Sequence, residues 1–182
     1  MITEIVDDFA RAYVYAKAAH SGQKRLDGSP YIGHPLAVVG ALCEAGRGAD
    51  TALLCAALLH DVVEDTAATQ EYVCMCFGDD VADLVERVTN KPGKNRAEKH
   101  KNTYPRIQEN NRARLLKYAD RLANIRSCCS EWMRTGKKGM FAMYYREADG
   151  FMAALKVPNS ELTDSEKYLI REINCLLATE GC

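Results

Sequence analysis

The chain has 182 residues, of which 47% are hydrophobic and 27% are charged, a balance typical of a soluble globular protein with its own core. The formal net charge of −1 excludes a general electrostatic attraction to nucleic acid or to anionic membranes. An anionic ligand would therefore need a local cluster of basic side chains.

The N-terminus and the length of the apolar runs predict a cytoplasmic protein. Residues 1–8 are acidic and lack the basic start and apolar run of a secretory signal. The longest apolar stretch, Ala52 to Leu59, is too short to cross a bilayer. We therefore expect the eight cysteines to be reduced and to serve mainly as core residues.

Apolar residues at helical spacing predict helices along the whole chain, separated by segments that contain glycine and proline. The predicted helices, in chain order, cover residues 2–20, about 35–45, 52–63, 69–77, a stretch after Gly78, part of 91–104, 112–128, 139–156, and a last helix opened by the capping-box pair Thr163 and Glu166. No segment shows the sustained alternation of a strand. The predicted fold class is therefore all-α, a helical bundle in which residues 1–182 form a single domain.

Four polar residues in or beside apolar segments carry the strongest chemical signal: His34, His60, Asp61 and Asp120. Burial of an imidazole next to a carboxylate is costly unless both groups are engaged, and both are good ligands for a divalent transition ion. Two simpler explanations remain open: a core histidine with one backbone partner, and a salt bridge from Asp120 to Lys117 or Arg121.

Two further carboxylates, Glu64 and Asp65, follow Asp61 at spacings of three and four residues. On a continuous helix all three would share one face, and such close like charges are destabilising unless a cation or a proton relieves them. With a metal ion near Asp61, the later pair would be free to position and deprotonate water. The alternative is a solvated, acidic helix end.

Basic residues cluster in two places. Lys24 and Arg25 precede His34, and a second run of cations comprises Lys91, Lys94, Arg96, Lys99, His100 and Lys101. Such a run is often only a solvated face. In a nearly neutral protein with an acidic site, it could equally hold the distal phosphates of a substrate.

The order His34, His60-Asp61, Asp120 resembles the HD superfamily of metal-dependent phosphohydrolases. Longer segments are similar to the (p)ppGpp hydrolases, which are the hydrolase domain of the RelA/SpoT enzymes and the small alarmone hydrolases. The matching segments are residues 19–25, 28–36, 56–66, 77–78, 85–89 and 118–126. They stand in the family's order between Phe9 and Arg126.

The resemblance implies a helical fold, one Mn²⁺ per chain and removal of the 3′-pyrophosphate from ppGpp or pppGpp. The metal ligands would be His34, His60, Asp61 and Asp120, and the catalytic residues that activate water would be Glu64 and Asp65. The residues expected to bind substrate are Lys24, Arg25, Arg96, Asn124, Ser127 and Tyr144. The partner would be a small nucleotide, with neither nucleic acid nor membrane involved, and the sequence carries no signal for an oligomeric state.

One departure from the family pattern concerns the base. The family usually has a second basic residue after the position of Arg25, where this chain has Leu26. This departure bears on guanine recognition. Two other functions also stay open: an HD-type phosphatase acting on a nucleoside monophosphate or NADPH, and a non-catalytic regulator that binds a nucleotide. The chain is also too short for a synthetase domain, so hydrolysis alone is expected.

Overall fold

The fold was analysed in a computed structural model that describes the backbone of residues 2–178 and the side chains of residues 8–178. The helices are α1 (Ile2–Ala19), α2 (Gly33–Glu44), α3 (Thr51–Leu59), α4 (Val62–Asp65), α5 (Gln70–Phe77), α6 (Asp79–Val88), α7 (Arg96–Gln108), α8 (Asn111–Thr135), α9 (Gly139–Ala154) and α10 (Asp164–Ala178). Within that part of the chain, β-structure is limited to one isolated bridge between Lys24 and Pro30. The all-α prediction is confirmed.

Several helices begin where a side chain can satisfy the free N–H groups of the first turn. The Thr69 hydroxyl accepts from the Tyr72 N–H at the start of α5. The side-chain oxygen of Asn110 accepts from two backbone N–H groups at the start of α8. Before α10, the Glu166 carboxylate accepts from the Thr163 N–H while the Thr163 hydroxyl accepts from the Glu166 N–H, so the predicted capping box is present.

The prediction of one continuous helix over residues 52–63 is wrong in one detail. Helix α3 ends at Leu59, and α4 begins only at Val62. At Asp61 the backbone opens to φ −102° and ψ −6°. Neighbouring side chains on a regular helix diverge by about 100°, so this distortion accompanies the approach of the His60 and Asp61 side chains to within 3.0 Å.

The long helix α8 packs against α2, α9 and α10, and α3 packs against α1, α2 and α6. Helix α3 carries apolar residues on every side, and Leu53 through Leu59 are accordingly all buried. Helices α2, α3 and α8 therefore meet around one core cluster, which brings the start of α2, the end of α3 and the middle of α8 together. That residues 1–182 constitute a single domain stays a prediction.

The expectation that the cysteines mainly fill the core is met by Cys55 and Cys129, which belong to the core cluster, and by Cys74 and Cys128, which pack against it. Cys55 and Cys129 are buried, whereas Cys43 and Cys175 are exposed and the other described cysteines are intermediate. None of the described cysteines forms a disulfide, and Cys182 lies outside the described residues. Of the helices within residues 2–178, none has the length and apolar content needed to span a bilayer.

Candidate metal and nucleotide site

Four side chains from three elements converge where α2, the α3–α4 junction and α8 meet. One donor atom each from His34, His60 and Asp61 lies within 4.8 Å of the others. Asp120 closes the group, since its Oδ1 is 3.2 Å from His34 Nε2 and 3.9 Å from His60 Nε2. The structure therefore brings together all four of the residues expected to ligate a metal ion.

His60 has the orientation that a metal-ligating histidine needs. Its Nδ1 donates to the Ala57 carbonyl oxygen at 2.8 Å, which leaves Nε2 to face the cluster. Nε2 is buried and has no hydrogen-bond partner, although Asp61 Oδ2 is 3.0 Å away. A hydrogen bond from one ring nitrogen commonly fixes the other as a metal ligand. The buried nitrogen and the nearby carboxylates fit a divalent transition ion.

The cluster keeps its charges in spite of burial. Burial would raise the pKa of Asp61, but the neighbouring His60 outweighs it and holds that pKa well below the usual range. Conversely, burial disfavours charge on His60, but Asp61 raises the pKa of His60 to about 9. The field that favours a proton on this imidazole also favours a divalent ion, whose binding would release the proton.

Asp120 has a second set of contacts. Its Oδ2 accepts from Lys117 Nζ at 3.0 Å, and its Oδ1 accepts from Asn124 Nδ2 at 2.7 Å. Burial would raise the pKa of Asp120, but Lys117, His34 and His60 together outweigh burial and lower it. The salt bridge to Lys117 considered from the sequence is thus present, together with the contact to His34.

Tyr31 is a part of the site that the sequence argument missed. Its hydroxyl donates to Asp61 Oδ2 at 2.5 Å. Burial and the charge of Asp61 raise the pKa of Tyr31 far above its usual range, so the hydroxyl stays protonated and keeps donating. Tyr31 therefore orients a candidate metal ligand in the way that outer-shell partners orient ligands in metal sites.

Glu64 and Asp65 line the same cavity as the candidate ligands His34, Asp61 and Asp120, but their hydrogen-bond partners differ. Both Glu64 oxygens accept from the Asn90 side-chain amide at 3.0 Å. Asp65 Oδ2 instead accepts from Gln23 Nε2 at 3.3 Å. Both carboxylates are exposed, so they remain able to accept hydrogen bonds from water.

Three cavities run side by side through the site. The middle one, about 240 Å³, is lined by the candidate ligands His34, Asp61 and Asp120, and also by Tyr31, Asn124 and Tyr144. We call it the metal cavity, after the ion expected there. Tyr31, Asn124 and Tyr144 also line a larger and more apolar cleft of about 670 Å³, which contains Lys24, Arg25, Leu26 and Ser127. We call this larger space the nucleoside cleft.

The third cavity adjoins the metal cavity through a different set of residues. It measures about 350 Å³ and shares Glu64, Asn90, Arg96 and His100 with the middle cavity, to which it adds Lys94 and Lys99. We call it the basic cleft. Of the predicted cation run, Lys91 instead pairs with Glu86 at 3.3 Å, and Lys101 is not part of the lining.

The predicted substrate residues therefore fall into two groups. Arg96, Asn124 and Tyr144 line the metal cavity, whereas Lys24, Arg25 and Ser127 line only the nucleoside cleft. Arg25 still reaches the site through Asn124, whose carbonyl oxygen accepts from the guanidinium at 3.3 Å. Asn124 thus links a residue of the nucleoside cleft to Asp120.

Arg96 and Arg121 form a cationic edge of the metal cavity. Glu147 accepts from Arg96 Nε at 2.9 Å and from Arg121 at 3.3 Å. Both guanidinium groups lie over the Tyr144 ring. Burial, helped by Arg96, lowers the pKa of the neighbouring His100 to about 4, so this imidazole adds no charge near neutral pH.

Sequence reasoning assigned no site role to several residues that complete the site: Gln23, Tyr31, Asn90, Tyr104 and Arg121. Only a weak signal marked some of them. Tyr31 and Gln23 lie in the glycine- and proline-rich loop before His34, and Asn90 follows the last turn of α6. Their partners are 26 to 42 residues away in sequence, so residue spacing alone could not identify them.

Among curated proteins, the chain is similar to a guanosine-3′,5′-bis(diphosphate) 3′-pyrophosphohydrolase of Aquifex aeolicus, with 44% identity over 126 residues. That match covers 66% of this chain and 18% of the relative. A GTP pyrophosphokinase of Myxococcus xanthus is 37% identical over 67% of this chain and 17% of its own length. The chain thus spans less than a fifth of these curated relatives.

Among solved structures, the fold resembles a protein described as a metazoan ortholog of SpoT that hydrolyzes ppGpp and plays a role in starvation responses. The TM-score is 0.77 at 29% identity, and the match covers 96% of both chains. A structure from Listeria monocytogenes matches with a TM-score of 0.61 and 28% identity over 80% of this chain. The sequence pattern of the HD domain matches residues 12–142, a segment that contains all four candidate metal ligands, and the chain belongs to the HD domain family.

Proposed function

We propose that this protein removes the 3′-pyrophosphate of ppGpp or pppGpp, giving GDP or GTP and pyrophosphate, with one Mn²⁺ per chain. The observation that carries the proposal is the meeting of His34, His60 and Asp61 within 4.8 Å, beside a cavity that His34, Asp61, Glu64 and Asp65 line. Relatives named for this reaction, and a solved neighbour whose title states it, support the choice of substrate. We expect the reaction to take place in the cytoplasm.

The metal ion would be held by His34, His60, Asp61 and Asp120. When bound, a divalent ion lowers the pKa of water from about 16 toward about 7 and offsets charge on the attacked phosphate. The protein holds these ligands in place through the Ala57 carbonyl, the Tyr31 hydroxyl and the Asn124 amide. Such outer contacts keep a site ready for its ion.

The order of the cavities supports one placement of the nucleotide. The nucleoside would occupy the 670 Å³ cleft beside Arg25 and Ser127, with the 3′-phosphate chain in the metal cavity. A planar guanidinium such as that of Arg25 can stack on a purine and can also face a phosphate. The terminal phosphate would point into the basic cleft, where Lys94, Arg96 and Lys99 offer positive charge to the departing pyrophosphate.

Proton transfer would fall to Glu64 and Asp65. Each carboxylate is exposed and is held by one amide-bearing side chain, which leaves lone pairs for a water molecule. A carboxylate within hydrogen-bond reach of the attacking water can accept its proton. Arg96 and Arg121, which share Glu147, lie where they can stabilise charge that develops on the phosphate.

A substrate panel tests this proposal. The Mn²⁺-supplemented protein would be assayed with ppGpp, pppGpp, their adenosine counterparts, nucleoside monophosphates and NADPH, and the products resolved by anion exchange. We expect guanosine 3′-diphosphates to yield GDP or GTP with one pyrophosphate each. Release of orthophosphate from a monophosphate or NADPH alone would replace the proposal with a different HD phosphatase, and nucleotide binding without turnover would make the protein a regulator.

A further inference from the structure

His20 is a buried polar residue that the proposed mechanism leaves without a role. It follows α1, is only 4% exposed, and lies outside the set of candidate metal ligands. Its Nδ1 is 2.6 Å from Gln23 Oε1, while its buried Nε2 has no hydrogen-bond partner. Burial of an imidazole costs free energy. We therefore expect the contacts of the His20 ring to serve the neighbouring site.

The direction of the hydrogen bonds follows from what each group can donate. An ionised carboxylate only accepts, so the Gln23 amide must turn its Nε2–H toward Asp65 Oδ2, at 3.3 Å. The side-chain oxygen of Gln23, Oε1, then faces His20. The Nδ1 atom of His20 must therefore carry a proton, which it donates to this oxygen. A chain of two hydrogen bonds therefore runs from His20 through Gln23 to Asp65.

The face of the same ring supports a second arm. His20 and Tyr31 pack with their ring centroids 4.6 Å apart, and the Tyr31 hydroxyl donates to Asp61 Oδ2. One buried imidazole thus contacts both Gln23, which holds Asp65, and Tyr31, which holds Asp61. The backbone joins the two arms as well, because the backbone N–H of Tyr31 donates to the backbone carbonyl oxygen of Gln23 at 3.1 Å.

We propose that His20 is a positioning residue, which acts through Gln23 to hold the Asp65 carboxylate in a fixed position relative to Asp61. This inference rests on the proposed function, in which Asp65 accepts a proton from the attacking water and Asp61 binds the metal ion. Misplacement of a reacting group by about 1 Å costs on the order of 10²-fold in rate. Loss of the His20 chain should therefore lower kcat without removing the metal or weakening nucleotide binding.

The test distinguishes the hydrogen bond that His20 donates from the packing of its aromatic ring. His20→Phe keeps an aromatic ring against Tyr31 but removes the donor, whereas His20→Asn supplies an amide N–H near the position of Nδ1. Gln23→Met keeps the length of the side chain and removes both hydrogen bonds. Gln70→Met is the matched control, because Gln70 donates to the Ala82 carbonyl oxygen and lines none of the three cavities.

We expect His20→Phe and Gln23→Met each to lower kcat for ppGpp by about 10²-fold, with KM and bound Mn²⁺ per chain unchanged. His20→Asn should recover most of the lost kcat, and Gln70→Met should retain the parental value. Because His20 acts through Gln23, the double variant His20→Phe/Gln23→Met should be no slower than Gln23→Met alone.

Parental kcat in His20→Phe and Gln23→Met would overturn the inference, and so would loss of Mn²⁺ from either variant or additive losses in the double variant. Failure of the proposed function would look different, since the parent itself would not cleave ppGpp. In that event crystal structures of the parent and of Gln23→Met still decide the point. The inference requires the Asp65 carboxylate to shift in the variant, and an unmoved Asp65 would refute it.

Discussion

The metal cavity and the nucleoside cleft share a wall but are built differently. At the metal cavity, the candidate ligands His34 and His60 are 4% and 3% exposed, and each candidate ligand belongs to or adjoins a core helix. In the nucleoside cleft, Lys24 and Leu26 come from the loop between α1 and α2, and Leu26 is 88% exposed. The core therefore restrains the candidate metal ligands more tightly than it restrains the loop residues of the nucleoside cleft, and loops tolerate change more readily than packed helices.

The largest effect should follow from a change in the metal cluster. Asp61→Asn removes one negative charge and one ligand oxygen. A bound ion supplies several kcal/mol of transition-state stabilisation, so we expect kcat to fall by at least about 10³-fold with loss of bound Mn²⁺. Steady-state assays and metal analysis measure both, with Asp164→Asn as an exposed control outside the three cavities. Normal activity in Asp61→Asn would remove Asp61 from the metal site.

Next come the exposed carboxylates at the edge of the same cavity. Glu64→Gln or Asp65→Asn should lower kcat by about 10²–10⁴-fold, the usual contribution of a general base, while Mn²⁺ content stays at the parental level. The comparison of metal content with kcat is the measurement. If both variants lose Mn²⁺, the two residues are ligands or structural supports and the proposed division of roles is wrong.

A smaller loss is expected when a ligand stays in place but its support is removed. Tyr31→Phe deletes the hydroxyl that donates to Asp61 and keeps the ring against His20. Removal of such an outer contact typically costs about 10–100-fold in metal affinity or activity. Titration of the metal-free variant with Mn²⁺ gives the affinity, and a parental value would show that Asp61 is held without this hydrogen bond.

In the nucleoside cleft we expect modest effects. Arg25→Ala should impair hydrolysis more than any substitution of Leu26, because Arg25 contacts Asn124 whereas Leu26 extends into solvent. Leu26→Lys should change the preference between guanine and adenine substrates by no more than about tenfold, or roughly 1.4 kcal/mol. Catalytic efficiencies on ppGpp and its adenosine counterpart provide the test. A large guanine preference that appears only in Leu26→Lys would make Leu26 the specificity residue.

The smallest effect concerns His100, which lies between the metal cavity and the basic cleft. Because burial, together with Arg96, lowers its pKa to about 4, the ring is already neutral near pH 7 and does not titrate there. His100→Asn should therefore leave the shape of the pH profile of kcat/KM unchanged from about pH 6 upward. A shifted acidic limb in the variant would show that His100 carries a proton during the reaction.

The contrast between the two regions also explains what the sequence could reveal. Apolar spacing predicted the helices, and cap residues such as Thr69 and the Thr163–Glu166 pair located their ends, because these signals act within one turn of chain. His34, His60, Asp61 and Asp120 were found because they are polar groups in apolar surroundings, where the cost of burial makes such residues conspicuous.

The rest depends on contacts between distant segments. The departure from helical backbone at Asp61 accompanies the approach of its side chain to His60, and the apolar residues on both sides of the His60-Asp61 pair gave no sign of a break in the helix. The links from Gln23 to Asp65 and from Asn90 to Glu64 span 42 and 26 residues. Glutamine and asparagine in loops are common, so only the folded chain shows which of them face a carboxylate.

The most direct measurement is a titration of the metal-free protein with Mn²⁺ in which bound metal and ppGpp hydrolysis are followed together. A single site formed by His34, His60, Asp61 and Asp120 requires the rate to rise in proportion to bound metal and to level off at one ion per chain, with GDP and pyrophosphate released in equal amounts. Full turnover by the metal-free protein, or a rate that stays at zero while one ion binds, would contradict a metal-dependent pyrophosphohydrolase.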